Sequence, residues 1–267
     1  MKEIINDKIT SFCYIPNNQW KILSKLAMEE DWSFKETESP YEFPVLTNYI
    51  YFTYQKLYNL YKKEPKGNWL IIDDKQQICF NTGLLTKNYE IIYMILTKAD
   101  KKKNANLNKP YISKGFYKES DSEICFYEEL PKRAKFINNL EDLIFDTSLK
   151  LVPNFEHILE DPENKKRIPE SLRDHPNLIS ILNGEILRVK KRVDCNYKIA
   201  VPQCYSNRSQ FLLPLSLCGN PNKTDLVLVV SKISEKCYKG YTCLTMDMAY
   251  NNARQISKPE TDWLFRG

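Results

Sequence analysis

Apolar residues recur at helical spacing twice in the first quarter of the chain. This spacing predicts an amphipathic helix over 17–30 and a second helix over 47–63, whose buried stripe consists of Ile50, Tyr54, Leu57 and Tyr61. Two short β-rich runs at 68–73 and 77–82 flank D-D-K-Q, a pattern typical of a hairpin. A strand is predicted over 89–97, an exposed loop over 99–110, and two further strands within 111–126.

The C-terminal third has the most regular pattern. A narrow apolar stripe predicts a long helix, and its members are Leu178, Leu182, Ile186, Val189 and Val193. Strands are predicted over 197–205, 210–218, 225–233 and 241–246, and a helix over 247–256. The expected fold class is therefore α+β, with a largely antiparallel sheet that contains a C-terminal four-stranded meander flanked by helices.

A charged stretch with three prolines, 161–176, is the best candidate boundary in the sequence. It divides the chain into an N-terminal helical and β-hairpin half, 1–160, and a C-terminal half, 161–267, which holds the long helix, the meander and the terminal helix. A chain of 267 residues is long enough to bury a substantial core. We expect the two halves to form one integrated domain.

Charge is concentrated in one segment, 188–208. This segment contains six Lys or Arg and one acid, a balance of +5 that equals the net charge of the whole chain, so the other residues sum to zero. Such a cluster indicates a partner rich in phosphate. The candidate phosphate-binding residues are Arg188, Lys190, Lys191, Arg192, Lys198 and Arg208, and the candidates for contact with a base or sugar are Asn196, Tyr197 and Gln203. Tyr197 and Tyr205 are predicted to share one strand face, where both rings could stack on bases.

A second polar motif, T-M-D-M-A-Y-N-N-A-R, spans 245–254 at the junction of the last strand and the last helix. Asp247 is predicted to be the N-cap of that helix, and capping alone would explain it. Alternatively, Asp247 is a catalytic residue that serves as metal ligand or general base, in which case Mg²⁺ is the expected cofactor. Asn252 and Arg254, which follow in the same helix, are further candidates for phosphate binding.

Several common chemistries lack their motifs in this chain. There is no G-x-x-x-x-G-K-[ST], G-x-G-x-x-G, G-x-S-x-G or H-E-x-x-H, so common NTPases, dinucleotide oxidoreductases, serine hydrolases and zincins are disfavoured. The eight cysteines form no C-x-x-C pair, and we predict no metal site of cysteine and histidine. No signal peptide or membrane-spanning run is visible, so the predicted location is the cytoplasm, without membrane association.

Several longer motifs together resemble one protein family. In chain order they are D-W-S-F, F-N-T-G-L, L-I-F-D, K-R-V-x-x-N-Y-K-x-A-V-P-Q, L-L-P-L, D-L-x-L-V-V, L-T-M-D-M-A-Y-N-N-A-R and D-W-L. The resemblance is to the family called domain of unknown function 3825, and it covers the chain from about Asp31 to Trp263. Because members of that family are often joined to RNA-binding modules such as cold-shock or LOTUS-type domains, the resemblance implies an RNA-linked role. It implies no catalytic residue. The chain begins close to the family domain, so the resemblance also implies that an RNA-binding companion is a separate protein.

The leading hypothesis is therefore a cytoplasmic protein that binds RNA or a nucleotide through its basic helix and strand. One alternative is a metal-dependent phosphodiesterase or another phosphoryl-transfer enzyme that acts on RNA or nucleotides. In that alternative Asp247 is the catalytic residue, and Arg254 with Lys198 stabilises the developing charge. A second alternative is a protein-interaction module whose Tyr-rich helix, 47–63, docks a partner.

Overall fold

The computed structural model describes residues 5–100, 108–137, 139–205, 208–261 and 263–264. The chain forms two compact units. The N-terminal unit comprises Met1–Phe34 and Glu38–Lys135, and the C-terminal unit comprises Lys35–Thr37 and Phe136–Gly267. The division lies between Lys135 and Phe136, whereas the sequence placed it at residue 160. Most of the loop predicted over 99–110 lies outside the described residues.

The N-terminal unit is a five-stranded sheet with helices. Its elements are α1 Ile9–Phe12, β1 Cys13–Tyr14, α2 Asn17–Leu26, α3 Pro44–Lys63, β2 Ile71–Ile72, β3 Ile78–Leu85, β4 Ile91–Lys98, β5 Tyr111–Lys118 and α4 Ser122–Cys125. The strand order is β1-β5-β4-β3-β2, antiparallel except for the parallel pair of β1 and β5. The predicted stripe of α3 is confirmed at Ile50, Tyr54 and Leu57, which are buried.

Two sequence predictions in this unit need correction. The first helix ends at Leu26 rather than at residue 30, because Ala27 forms a β-bridge with Thr86 and the chain turns extended there. The second strand predicted within 111–126 is wrong. Asp121 accepts a hydrogen bond from the backbone N–H of Lys118, and the turn that results ends β5 and leads into α4.

The C-terminal unit contains a second five-stranded sheet. Its elements are β6 Lys150–Pro153, α5 Phe155–Glu160, α6 Pro162–Arg167, α7 Glu170–Arg173, α8 Leu178–Cys195, β7 Val201–Tyr205, β8 Arg208–Leu215, β9 Leu226–Ser234, β10 Cys237–Leu244 and α9 Met246–Arg254, with 3-10 turns at Leu140–Leu143 and Tyr197–Ile199. The strand order is β6-β10-β9-β8-β7. The meander of β7 to β10 is antiparallel, as predicted, and the α+β fold class is confirmed.

One strand of this sheet was not predicted. The strand β6 pairs in parallel with β10 at one edge, from Lys150 opposite Cys237 to Pro153 opposite Gly240. It is four residues long and its partner lies more than eighty positions further along the chain, so neither periodicity nor a local turn marks it.

The helix α8 packs on one face of the sheet through the stripe that the sequence predicts. All five stripe residues are buried, and they form one core with Phe211, Leu213 and Leu215 of β8 and with Leu228 and Val230 of β9. Because side chains alternate along a strand, Gln210 and Leu212 of β8 point to the opposite face. The helix α9 follows β10 and lies against β7, β9 and β10.

We predict that Leu182→Ala lowers the free energy of unfolding by about 2–5 kcal/mol. Leu182 of α8 is fully buried between this helix and the sheet, so its truncation leaves a cavity. The matched control is Leu187→Ala in the same helix. Leu187 is 64% exposed, so its truncation should change stability by less than about 0.5 kcal/mol. Chemical denaturation measures both changes, and equal losses would contradict the assigned packing face of α8.

Candidate nucleic-acid interface

The basic segment begins on α8. The apolar stripe of this helix faces the sheet, and Lys191, which lies off the stripe, is exposed. Arg192 occupies the last turn, where the negative end of the helix dipole favours cations. Packing of the stripe therefore determines which basic side chains point away from the protein.

Two of the six basic side chains have partners within the C-terminal unit. Arg188 forms an ion pair with Glu185, in which Nη2 lies 2.9 Å from Oε2, and the same nitrogen lies 3.5 Å from the carbonyl oxygen of Ser216. Lys190 donates a hydrogen bond to the carbonyl oxygen of Leu149 at 2.8 Å. The contacts with Ser216 and Leu149 link α8 to neighbouring segments, so both residues already have a structural role.

Lys190 also lies close to an acidic side chain. Hydrogen bonds from the side chain and backbone of Ser148 lower the pKa of Asp146, and the charges of Lys232 and Lys190 lower it further. Asp146 is therefore held as a carboxylate, and its negative charge offsets part of the positive charge of Lys190.

The other four basic side chains have no hydrogen-bond or ion-pair partner among the residues that the structure describes. They are Lys191, Arg192, Lys198 and Arg208. Lys191, Lys198 and Arg208 are exposed, and Arg192 is partly buried. The charge that is available to a ligand is thus carried by fewer residues than the sequence suggested.

Asn196 and Tyr197 lie between α8 and β7. The side chain of Asn196 accepts a hydrogen bond from the backbone N–H of Lys198 at 3.2 Å and so caps the 3-10 turn Tyr197–Ile199. The predicted strand face shared by Tyr197 and Tyr205 is wrong, because this cap delays the start of β7 to Val201. Tyr197 is nonetheless 59% exposed and lies directly beside Lys198 in the turn.

Tyr205 and Arg208 lie at the other end of β7. They are register partners on β7 and β8, so their side chains are neighbours on one face of the sheet. The strand from Val201 to Tyr205 spans about 13 Å at about 3.3 Å per residue. The basic segment therefore forms two separate exposed surfaces rather than one: Lys191, Asn196, Tyr197 and Lys198 form the helix-end surface, and Tyr205 and Arg208 form the sheet-end surface.

Gln203 lies between these surfaces but is only 2% exposed. Its Nε2 donates to Oε1 of Gln210 at 2.8 Å, and Nε2 of Gln210 lies 2.8 Å from Oγ of Ser231. The three residues form a polar chain across β7, β8 and β9. At the end of this chain Oε1 of Gln203 is buried and has no hydrogen-bond partner in the described part of the protein.

Asp247 is fully buried, and its carboxylate accepts four hydrogen bonds from residues 35–37. The backbone N–H of Lys35 lies 2.8 Å from Oδ1, and Oδ2 accepts from the backbone N–H groups of Glu36 and Thr37, each at 2.8 Å, and from the Thr37 hydroxyl at 3.0 Å. These donors compensate for the burial of a charged group.

The prediction that Asp247 is the N-cap of the last helix is wrong. Thr245 occupies that position, and its Oγ1 accepts a hydrogen bond from the backbone N–H of Met248 at 3.4 Å. Asp247 lies in the first turn of α9, where its side chain points to residues 35–37 instead. The sequence reasoning missed these donors, because they are more than two hundred positions away and no local pattern links them to α9.

Asn252 and Arg254 occupy the C-terminal half of α9. Arg254 is buried and makes contacts within the protein, whereas Asn252 is half-buried. Asp247 and Arg254 lie on one side of the helix but seven residues apart, about 10 Å along its axis.

Neither a metal cluster nor a disulfide is found in the described ranges. No group of three or more His, Cys, Asp or Glu side chains there is arranged to hold a metal ion, and all eight cysteines are free thiols. Asn81 of the F-N-T-G-L motif has an internal role, because its side chain bonds to the carbonyl oxygen of Pro131 and to the backbone N–H of Gly83.

We predict that Asp247→Asn lowers the free energy of unfolding by about 2–3 kcal/mol, because an amide at this buried position places its own donors against the N–H groups of residues 35–37 and leaves some of them unsatisfied. Amide hydrogen exchange at residues 35–37 should accelerate in this variant. Asp225→Asn is the matched control, since its carboxylate is only partly buried and accepts a single backbone hydrogen bond among the described residues, from Cys218, so the substitution should cost less than about 1 kcal/mol. An Asp247→Asn protein as stable as the parent, with unchanged exchange at 35–37, is incompatible with this role.

No helix in the described ranges has the length and apolar character needed to cross a membrane.

Comparisons with known proteins identify one family. No curated protein and no solved structure matches the chain. The family model described as domain of unknown function (DUF3825) matches residues 23–263, which include both motifs analysed above, the basic segment and the segment around Asp247. The chain therefore belongs to the DUF3825 family.

Proposed function

We propose that this protein binds RNA or a nucleotide through the helix-end surface. The observation that carries the proposal is that Lys191 and Lys198 are exposed cations with no partner in the described structure, and that Lys198 directly follows Tyr197, whose ring is exposed. Cations attract the phosphates, and an aromatic ring offers a face on which an unpaired base stacks. The preference for RNA over DNA rests on the RNA-linked role that the family resemblance implies.

The arrangement of the surface supports a ligand with several phosphates. Lys191 lies on the last turns of α8, and Lys198 lies in the 3-10 turn that follows directly, so the two charges lie on adjoining elements. Neither lysine forms an ion pair with a residue that the structure describes, in contrast to Arg188. A long, flexible side chain gains little from an exposed position by itself, whereas release of counterions from a polyanion makes such contacts favourable.

Arg192, Asn196 and Arg208 contribute to the same function. Arg192 adds charge beside Lys191, and the amide of Asn196 retains hydrogen-bonding capacity for a sugar or base in addition to its capping bond. Arg208 acts at the sheet-end surface. Arg188 and Lys190 act indirectly, by fixing the position of α8.

The alternative functions stay predictions. Phosphoryl transfer with Mg²⁺ would require the carboxylate oxygens of Asp247 to bind the metal ion or accept a proton. These oxygens instead accept four hydrogen bonds from residues 35–37. Docking of a partner by the Tyr-rich helix α3 would require exposed aromatic rings, whereas Tyr49, Tyr54 and Tyr58 are buried. We further propose a cytoplasmic location, which the eight free thiols support. Where a separate RNA-binding protein is present, it would act on the same RNA.

We predict that the double variant Lys191→Ala/Lys198→Ala binds single-stranded RNA more weakly and with a reduced dependence on salt. Each phosphate contact that is lost should reduce the slope of log affinity against log salt concentration by about 0.7, or by about 1.4 for the pair. Fluorescence anisotropy with a labelled oligoribonucleotide over a salt series measures the affinity and the slope together.

The control for this experiment is the matched variant Lys223→Ala/Lys236→Ala, which removes two positive charges from exposed positions, one in the connection between β8 and β9 and one in the connection between β9 and β10. It should leave both the affinity and the slope close to those of the parent. Equal effects of the control and the double variant would indicate binding through overall charge and would refute a specific surface. An absence of any RNA binding by the parent protein would refute the proposed function itself.

A further inference from the structure

The end of the C-terminal sheet carries an exposed aromatic ring and an available cation on the face opposite α8. Phe211 belongs to the core beneath α8, so alternation places Arg208 and Gln210 on the other face. Their register partners, Tyr205 and Gln203, share that face. Tyr205 is 64% exposed, and Arg208 is exposed with no partner in the described parts of the chain.

Behind this pair lies the polar chain of Gln203, Gln210 and Ser231. Gln203 is two residues before Tyr205 on the same face, about 7 Å away along the strand. The hydrogen bonds of this polar chain use one donor of each glutamine amide. They leave Oε1 of Gln203 buried and unpaired in the described structure. An unpaired buried acceptor costs free energy, and a ligand N–H that reaches it recovers that cost. This acceptor is therefore a second and independent sign of a ligand.

The same face extends onto the neighbouring strands. Ile233 of β9 lies two residues beyond Ser231 and is exposed. Lys239 of β10 is the register partner of Ser231, and its Nζ lies 5.5 Å from the centre of the Tyr241 ring. Apolar and cationic groups thus border the polar chain on the side away from β7. Oε1 of Gln203 is closed to solvent, so a ligand on Tyr205 gains access to it by rotation of the glutamine side chain.

We propose that this sheet-end surface binds one unpaired base of single-stranded RNA. The base stacks on Tyr205, its phosphate pairs with Arg208, and a base N–H donates to Oε1 of Gln203. A duplex cannot satisfy this arrangement, because its bases are stacked on one another and present no free face. An acidic peptide would pair with Arg208 but offers no planar ring with N–H donors on its edge. The proposal rests on the proposed function and specifies its substrate as single-stranded.

The test is binding of single-stranded and duplex oligoribonucleotides of equal length, by anisotropy at one ionic strength. Tyr205→Ala should weaken the affinity for the single strand about 5- to 150-fold, the range found when a stacked aromatic ring is removed. It should leave duplex binding unchanged. Tyr205→Phe keeps the ring and should bind as the parent does. Because Tyr205 is exposed, these variants are expected to fold, and thermal melting confirms it.

Homopolymeric oligoribonucleotides of adenosine, uridine and cytidine test the role of Gln203. The parent should distinguish among them, and Gln203→Met, which has a similar volume but no amide, should bind them nearly equally while keeping the salt slope of the parent. Equal binding of all three by the parent overturns base recognition by the amide.

The outcomes separate this inference from the proposed function. If RNA binding depends on Lys191 and Lys198 but Tyr205→Ala binds the single strand as the parent does, the sheet-end site is wrong and the proposed function stands. If duplex and single strand bind with equal affinity, the single-strand specificity is wrong. If no oligoribonucleotide binds the parent, the proposed function fails first.

Discussion

One buried carboxylate determines how the C-terminal unit is closed. Asp247 is inaccessible to solvent in the first turn of α9, and a lone charge in that position would be strongly unfavourable. Residues 35–37 remove this cost by directing three consecutive backbone N–H groups and one hydroxyl at it. A segment from the first sixth of the chain thereby becomes part of a unit that otherwise begins at Phe136. Asp247 thus fixes the end of β10, the start of α9 and a remote segment at once.

For function, the polar side chains of the C-terminal unit fall into two sets: those that make structural contacts and those that are available to a ligand. Asp247, Arg188 and Lys190 resemble site residues in the sequence but make contacts that hold the unit together. In the part of the chain that the structure describes, Lys191 and Lys198 have no such contacts, and they are exposed on α8 and on the turn that follows it. The apolar stripe of that helix sets this division, because it decides which side chains face the sheet. The proposed binding at the helix end and the proposed base recognition at the sheet end both rest on this division.

The elements that the sequence predicted well are those whose apolar residues repeat at regular spacing over a short stretch of the chain. The α8 stripe repeats within one helix, and the meander strands are separated by short polar turns, so both were visible without tertiary information. By contrast, β6 and residues 35–37 were missed because their partners lie far away in the chain. Tyr197 was predicted to lie in a strand, but the cap that Asn196 provides outweighs its β propensity and places it in a 3-10 turn. Gln203 was predicted to contact a base or sugar, and its burial depends on packing that no pattern in the sequence reveals.

The most direct test of the account is ultraviolet crosslinking of a single-stranded oligoribonucleotide to the parent protein, with the linked peptides mapped by mass spectrometry. The account predicts crosslinks at Tyr197 and at Tyr205, the two exposed rings that flank β7. Crosslinks confined to the N-terminal unit, or to positions in the C-terminal unit distant from β7 and the end of α8, would contradict it.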